Sequence, residues 1–214
     1  MANRFGSQPK TAHTCRASKK TKAGNRQPAI GNRNKSMTDS KPNLILIGLR
    51  ASGKSTLGKA LADQLGLAFV DLDDVASALL KANGAGQAIQ THGIDAFRDA
   101  EAQALRSVLE HKKQIIALGG GTPTAPGCAE MLIADPCTVV YLRALPATLR
   151  DRLRGTDNTN RPALVGDDVI DEVQMLFDQR DELYSSIADT VIQTDDLTFE
   201  AALAKLVEAV ETAS

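Results

Sequence analysis

A chain of 214 residues has room for one α/β domain with its own core, and two would be crowded. Its net charge of -1 hides a division: residues 1–40 carry nine Lys or Arg against one Asp, and the remainder carries 16 basic against 25 acidic residues. An acidic body argues against a broad nucleic-acid groove, which needs a positive face, and leaves any polyanion binding to the tail. Cys15, Cys128 and Cys137 are too few and too irregularly spaced for a disulfide framework or metal site. Their simpler reading is small packing residues. No apolar run approaches the ~20 residues that span a bilayer, and the N-terminus lacks a secretory apolar core. The expectation is a soluble intracellular protein.

Residues 1–41 are rich in Lys, Arg, Asn, Ser, Thr, Gln and Gly. With so few large apolar side chains they cannot offset ordering entropy, so a disordered basic tail is expected. The same composition fits an organelle transit peptide over residues 1–36, and Met37 is an alternative start.

The body, 42–214, opens on NLILIGLRASGKST at 43–56. Leu44–Ile47 is a continuous apolar run of the kind buried on both faces of a parallel sheet. Gly48 to Ser55 then match G-x-x-x-x-G-K-[ST], the phosphate-binding P-loop. The turn Gly48, Ala51, Ser52, Gly53 presents backbone N–H groups to phosphate oxygens at a helix N-terminus. Lys54 is positioned to reach the β- and γ-phosphates, Ser55 to offer a hydroxyl to Mg²⁺, and Thr56 to contact phosphate or cap the helix. The pattern recurs in unrelated chains, but its place between strand and helix signals marks a nucleotide site.

Leu57, Leu61 and Leu65 form one helical stripe, which Gly66 closes. Ala68–Val70 is a second strand running into Asp71, Leu72, Asp73 and Asp74, and a modest helix follows to Leu80, with Asn83-Gly84 as a break. A carboxylate at a strand's carboxyl end can hold metal-bound water or take a hydroxyl proton, and strand alternation puts Asp71 and Asp73 on similar faces. The simpler alternative is that one of them caps the helix. Gly93 begins a longer helix with Ile94, Phe97, Ala104, Leu105, Val108 and Leu109 as its apolar face and Arg98 and Glu101 as i,i+3 neighbours. Ile115–Leu118 is a third strand ending in Gly119, Gly120 and Gly121, where backbone can approach a ligand closely. Thr138–Leu142 is a fourth strand. Two helices between Leu149 and Ala188 flank a polar loop at 155–166, Thr190–Gln193 is a fifth strand and Phe199–Val210 a closing helix. Strands alternating with helices predict a parallel sheet covered on both faces, with ligands at the carboxyl ends of the strands. Arg98, Arg154, Arg161 and Arg180 stand near element ends or loops, and guanidinium groups bind carboxylate and phosphate two-pronged.

Taken together, GLRASGKST at 48–56, DLD at 71–73, FRDAE at 97–101, LGGG at 118–121, RPAL at 161–164 and RDELY at 180–184 resemble the shikimate kinase family across most of 43–195. The resemblance implies a three-layer P-loop NTPase fold of the nucleoside-monophosphate-kinase type, with a five-stranded parallel sheet, a substrate-binding segment at about 72–102 and a lid at about 155–166. It implies ATP and Mg²⁺ as cofactors and transfer of phosphate to the 3-hydroxyl of shikimate. Asp71 takes the metal-associated position alongside Ser55, and Asp73 that of the base. Arg98 and Arg180 match the substrate-carboxylate arginines, Glu101 the acid that orients Arg98, and Gly119 to Gly121 the substrate-lining glycines. Arg161 matches the arginine that reaches the transferring phosphate, joining Lys54 and Asp73 as catalytic, and Arg154 the one stacked near adenine. The family's Gly-Glu is Gly93-Ile94 here, its RPLL is RPAL, and Ile89 replaces an expected aromatic. These departures fall on the substrate side and lid. A cytoplasmic monomer is expected, with no nucleic-acid or membrane partner. The alternatives are a gluconate-kinase-like enzyme of the same fold and a non-catalytic ligand-sensing module.

Overall fold

The computed structural model describes residues 42–154 and 172–212. The tail 1–41, the loop 155–166 and Arg161 therefore lie outside the described residues. Five short strands, β1 (Leu44–Ile47), β2 (Ala68–Asp71), β3 (Gln114–Ala117), β4 (Thr138–Arg143) and β5 (Thr190–Gln193), form one parallel sheet in the order β2-β3-β1-β4-β5. β1 is central, and its neighbours on either side come later in the chain. That order splits the loops at the carboxyl edge in opposite directions on leaving the sheet and opens a crevice there.

Side-chain alternation divides the core into two layers. Leu44 and Leu46 of β1 join Ile115, Val140, Leu142 and Ile192 beneath α1 (Lys54–Leu65) and α8 (Phe199–Thr212). Ile45 and Ile47 point the other way with Ile116, Val139 and Tyr141. There they meet α2 (Leu72–Leu79), α3 (Ala85–His92), α4 (Ile94–Leu109), α5 (Cys128–Ala134), α6 (Pro146–Arg154) and α7 (Val173–Ile187). The sheet is covered on both faces, as its unbroken apolar strands require.

All five strands fall where the apolar runs placed them, with β3 one residue earlier, so Leu118 already belongs to the turn. Two helices were not foreseen. α3 buries Ala85, Gly86 and Ala88, small residues that pack by close approach and leave no bulky stripe to read. α5 is a seven-residue helix with Cys128 and Leu132 as its buried face. Two stripe residues are also corrected: Leu65 is exposed as α1 runs off the sheet, its place taken by Ala62, and Ile94 is exposed at the first turn of α4. Among the described residues no helix is long and apolar enough to cross a membrane.

Asn43, fully buried just before β1, fastens the amino edge of the sheet. Its Nδ2 donates to the His111 carbonyl at 2.6 Å, its Oδ1 accepts the Gln114 N–H at 3.1 Å, and its own carbonyl accepts the Thr138 N–H at 2.9 Å. The side chain thus ties the entry of β3 to β1, while the backbone ties β4. Asn43→Ala leaves a buried donor and acceptor without partners, so it is expected to lower unfolding free energy by about 1–3 kcal/mol, read as a shifted urea midpoint at unchanged m-value.

Candidate active site

The turn after β1 has an unusual backbone. Gly48 has φ +149°, and a methyl group on it would lie 2.6 Å from both the Leu142 carbonyl oxygen and Ser52 Oγ, so only glycine fits. Ala51 holds φ +62°, a left-handed conformation that a side chain disfavours. The resulting loop leads into α1, whose N-terminal amides and dipole favour an anion. Lys54 is 9% exposed and donates to the Gly48 and Leu49 carbonyls at 2.9 Å each, curled over the loop it belongs to. Ser52 Oγ is buried without a hydrogen-bond partner, the one such side-chain atom among the described residues. A buried hydroxyl left over in this loop, beside a lysine and a helix N-terminus, fits a phosphate chain. Thr56 is exposed in the first turn of α1, beside Ser55.

Across from the loop, Ser55 Oγ donates to Asp71 Oδ2 at 2.8 Å. Asp71 is the last residue of β2 and the N-cap of α2, accepting the Asp73 N–H on Oδ1 at 3.2 Å. Asp71 and Asp73 are therefore not successive same-side residues of a strand, as the alternation suggested. One caps the helix and the other stands in its first turn. Capping and metal association are compatible here, because Oδ1 serves the cap and Oδ2 faces Ser55. Two hard oxygens beside a phosphate loop suit Mg²⁺, which keeps water and substrate oxygens for its other positions. Accordingly, no group of three His, Cys, Asp or Glu is needed, and among the described residues there is none.

Asp73, Arg98, Glu101 and Arg180 come from α2, α4 and α7 and meet at Gly119–Gly121. A methyl group on Gly119 would collide with Asp73 Oδ1 and lie 2.6 Å from Glu101 Oε1, and one on Gly121 would overlap the Arg98 guanidinium. The two glycines are the space these charges occupy. Glu101 is fully buried, accepting Arg98 Nη1 on Oε2 and the Thr122 hydroxyl on Oε1 at 2.5 Å. Burial pushes its carboxyl above the ordinary carboxylate value, and Arg98 and Thr122 pull it partly back. With both oxygens receiving donors, the ionised form is the one its neighbours match. Arg180 Nη1 donates to the Gly120 carbonyl at 2.7 Å, which also accepts the Tyr184 hydroxyl. Burial pushes that phenol up to about 12, so it remains a donor.

One cavity at the carboxyl edge collects Lys54, Asp73, Arg98, Glu101, Gly120, Gly121 and Arg180. Ile89, Phe97, Leu153, Val173 and Leu176 supply its apolar wall, with Ile89 at the position where an aromatic was expected. The cavity suits a small molecule with a carboxylate, hydroxyl groups and a modest apolar face. Arg154 is not among the residues brought together: it lies exposed at the end of α6, paired with Asp151 at 2.7 Å. Arg152 reaches the phosphate loop instead, donating to the Thr194 carbonyl at 2.7 Å and to the Ala51 carbonyl at 3.4 Å. Sequence reading also missed Thr122, Glu172 and Arg50, the last two lining the cavity. Arg50 lies inside the P-loop pattern at a position where any residue is allowed, so the motif draws no attention to it.

A parallel sheet in this order, with a P-loop after its central strand and a polar-lined cavity beside it, defines a P-loop kinase of the nucleoside-monophosphate-kinase type. The sequence pattern of the family described as shikimate kinase matches residues 50–211. A shikimate kinase of Stenotrophomonas maltophilia (strain K279a) is 39% identical over 168 residues, spanning 78% of this chain and 90% of that protein. One of Mycobacterium avium (strain 104) is 37% identical over 156 residues, 72% of this chain and 85% of the relative. Among solved structures, the Acinetobacter baumannii shikimate kinase in complex with shikimate superposes with a TM-score of 0.72 at 27% identity, covering 80% of this chain and 93% of that one. The Aquifex aeolicus shikimate kinase gives 0.65 at 25% identity over 79% and 96% of the two chains. The chain belongs to the shikimate kinase family.

Glu101→Ala removes the buried partner of Arg98, whose side chain is 16% exposed. It is expected to lower unfolding free energy by about 2–3 kcal/mol, somewhat under the cost of breaking a wholly buried pair. A urea midpoint matching wild type would show that Arg98 is held by something else.

Proposed function

We propose that this protein is a shikimate kinase, transferring the γ-phosphoryl group of ATP to the 3-hydroxyl of shikimate, and that the residues gathered at Gly119–Gly121 form its acceptor site. The observation that carries this reading is the convergence of Asp73, Arg98 and Arg180 on the cavity that Lys54 also lines. Two guanidinium groups on one side bind the acid's carboxylate, with Arg98 aimed by Glu101 and Arg180 by the Gly120 carbonyl. Asp73, 7% exposed and held at the first turn of α2 by the Ser77 hydroxyl on its carbonyl at 2.6 Å, receives the substrate hydroxyl and its proton.

On the donor side, Lys54 exchanges its bonds to the loop carbonyls for phosphate oxygens, and Ser52 gains a partner for its hydroxyl. Ser55 and Asp71 hold Mg²⁺, which when bound neutralises charge on the phosphates. Little covalent chemistry is asked of the protein, so rate comes from holding hydroxyl and phosphoryl in line and from charge stabilisation. The bacterial relatives support a cytoplasmic setting.

Wild-type protein with Mg-ATP is expected to release ADP on addition of shikimate in a coupled assay, and gluconate should give none. Lys54→Ala should lower kcat by roughly 10²-fold or more, and Asp73→Asn by about 10²–10⁴-fold with the KM for ATP little changed. ADP release with gluconate but not shikimate would transfer the assignment to a sugar-acid kinase. Shikimate binding without turnover would make it a sensing module.

A further inference from the structure

Arg180 is positioned from behind. On α7 the next residue, Asp181, is turned roughly 100° from it and faces the sheet. There Arg143, at the end of β4, forks onto it, with Nε donating to Oδ1 and Nη2 to Oδ2 at 2.8 Å each. Tyr141, two residues earlier on the same face of β4, donates its hydroxyl to Oδ1 at 2.9 Å. The Arg143 guanidinium also lies over the Phe177 ring, 4.9 Å from its centroid, one turn back on α7. One turn forward, Tyr184 meets Tyr141 edge to face at 5.4 Å, and its hydroxyl shares the Gly120 carbonyl with Arg180.

We propose that Asp181, clamped by Arg143 and Tyr141, is a positioning residue that sets the rotation of α7 and so aims Arg180 at the carboxylate of the acceptor. This rests on the reading of Arg180 given above. Apolar contacts hold α7 on the sheet but are non-directional, whereas a two-pronged ion pair fixes an angle. A guanidinium reaches about 8 Å from its helix axis, so a rotation of roughly 10° moves it by more than about 1 Å, enough to spoil a bidentate contact. Arg143 and Asp181 keep 25% and 24% side-chain exposure, so solvent screening limits what the pair adds to stability, although its two-pronged geometry makes it stronger than an ordinary surface pair. The effect of losing it is therefore expected in substrate binding, ahead of folding.

The test is steady-state kinetics on the full chain, with shikimate affinity by calorimetry and urea unfolding alongside. Asp181→Asn and Arg143→Met are each expected to raise the KM and Kd for shikimate about tenfold, roughly 1.4 kcal/mol of lost binding. The kcat and the KM for ATP should stay within about twofold of wild type. The double variant should be no worse than the weaker-binding single one, because both act through one contact. Asp181→Glu should recover most of the affinity lost in Asp181→Asn. If Asp181→Asn fails to fold, Arg143→Met alone decides the matter. A shikimate KM within twofold of wild type in these variants overturns the proposal, as does a parallel rise of both KM values with a lowered urea midpoint. Wild-type protein inactive on shikimate overturns the functional reading itself, and this inference with it.

Discussion

Three residues without side chains, Gly119–Gly121, stand where charged side chains from α2, α4 and α7 converge, and the cavity depends on that contact. Asp73 and Glu101 lie where a Cβ of Gly119 would be, and Arg98 where that of Gly121 would be. The middle residue contributes its carbonyl, which Arg180 and Tyr184 share. The turn therefore does two jobs with backbone alone: it yields room for three charges and orients a fourth. A larger residue at 119 or 121 would push these side chains from their present places, and the second is available because β3 ends at the carboxyl edge with its chain free to turn under the cavity.

Charge follows the same design. Lys54, Asp73, Glu101 and Arg180 are each less than 10% exposed. Gathering them costs desolvation that well-packed apolar residues would not incur, so stability does not explain their presence. Lys54 is held by two carbonyls, Arg180 by one, and Glu101 lies between Arg98 and Thr122. Apart from the Ser52 hydroxyl, the site is satisfied before any ligand arrives. Its donors are ones that a phosphate or carboxylate can take over without the protein having to reorganise.

Much of this was legible in the chain, because the informative signals are local. The strands are uninterrupted apolar runs, and a parallel sheet buried on both faces needs nothing subtler. The P-loop is a contiguous motif whose glycines, lysine and serine act within a few residues of each other. Asp73, Arg98, Glu101 and Arg180 were placed by resemblance, and the fold brings them to one cavity. What was not legible is tertiary. α3 packs through Ala85, Gly86 and Ala88, which carry no periodic bulk. Arg152 joins α6 to the phosphate loop and to Thr194, and Arg143 joins β4 to Asp181, both across some forty residues or more of sequence. Arg154 shows the converse: a motif position can be identified while its side chain pairs with Asp151 at the surface.

Asp71 shows why a capping reading and a catalytic reading of the same residue need not compete. As N-cap it fixes the first turn of α2, and that turn carries Asp73. Through its other oxygen it meets Ser55 on α1, the helix whose N-terminus ends the phosphate loop. One carboxylate thereby couples the helix after the phosphate loop to the first turn of α2, where Asp73 stands. Loss of the Asp71 carboxylate would free the backbone of Asp73 and the Ser55 hydroxyl together, so the two effects share a cause. The spacing DLD is thus a structural requirement: a strand must end, a helix must start, and the second acid must fall in its first turn to face Gly119.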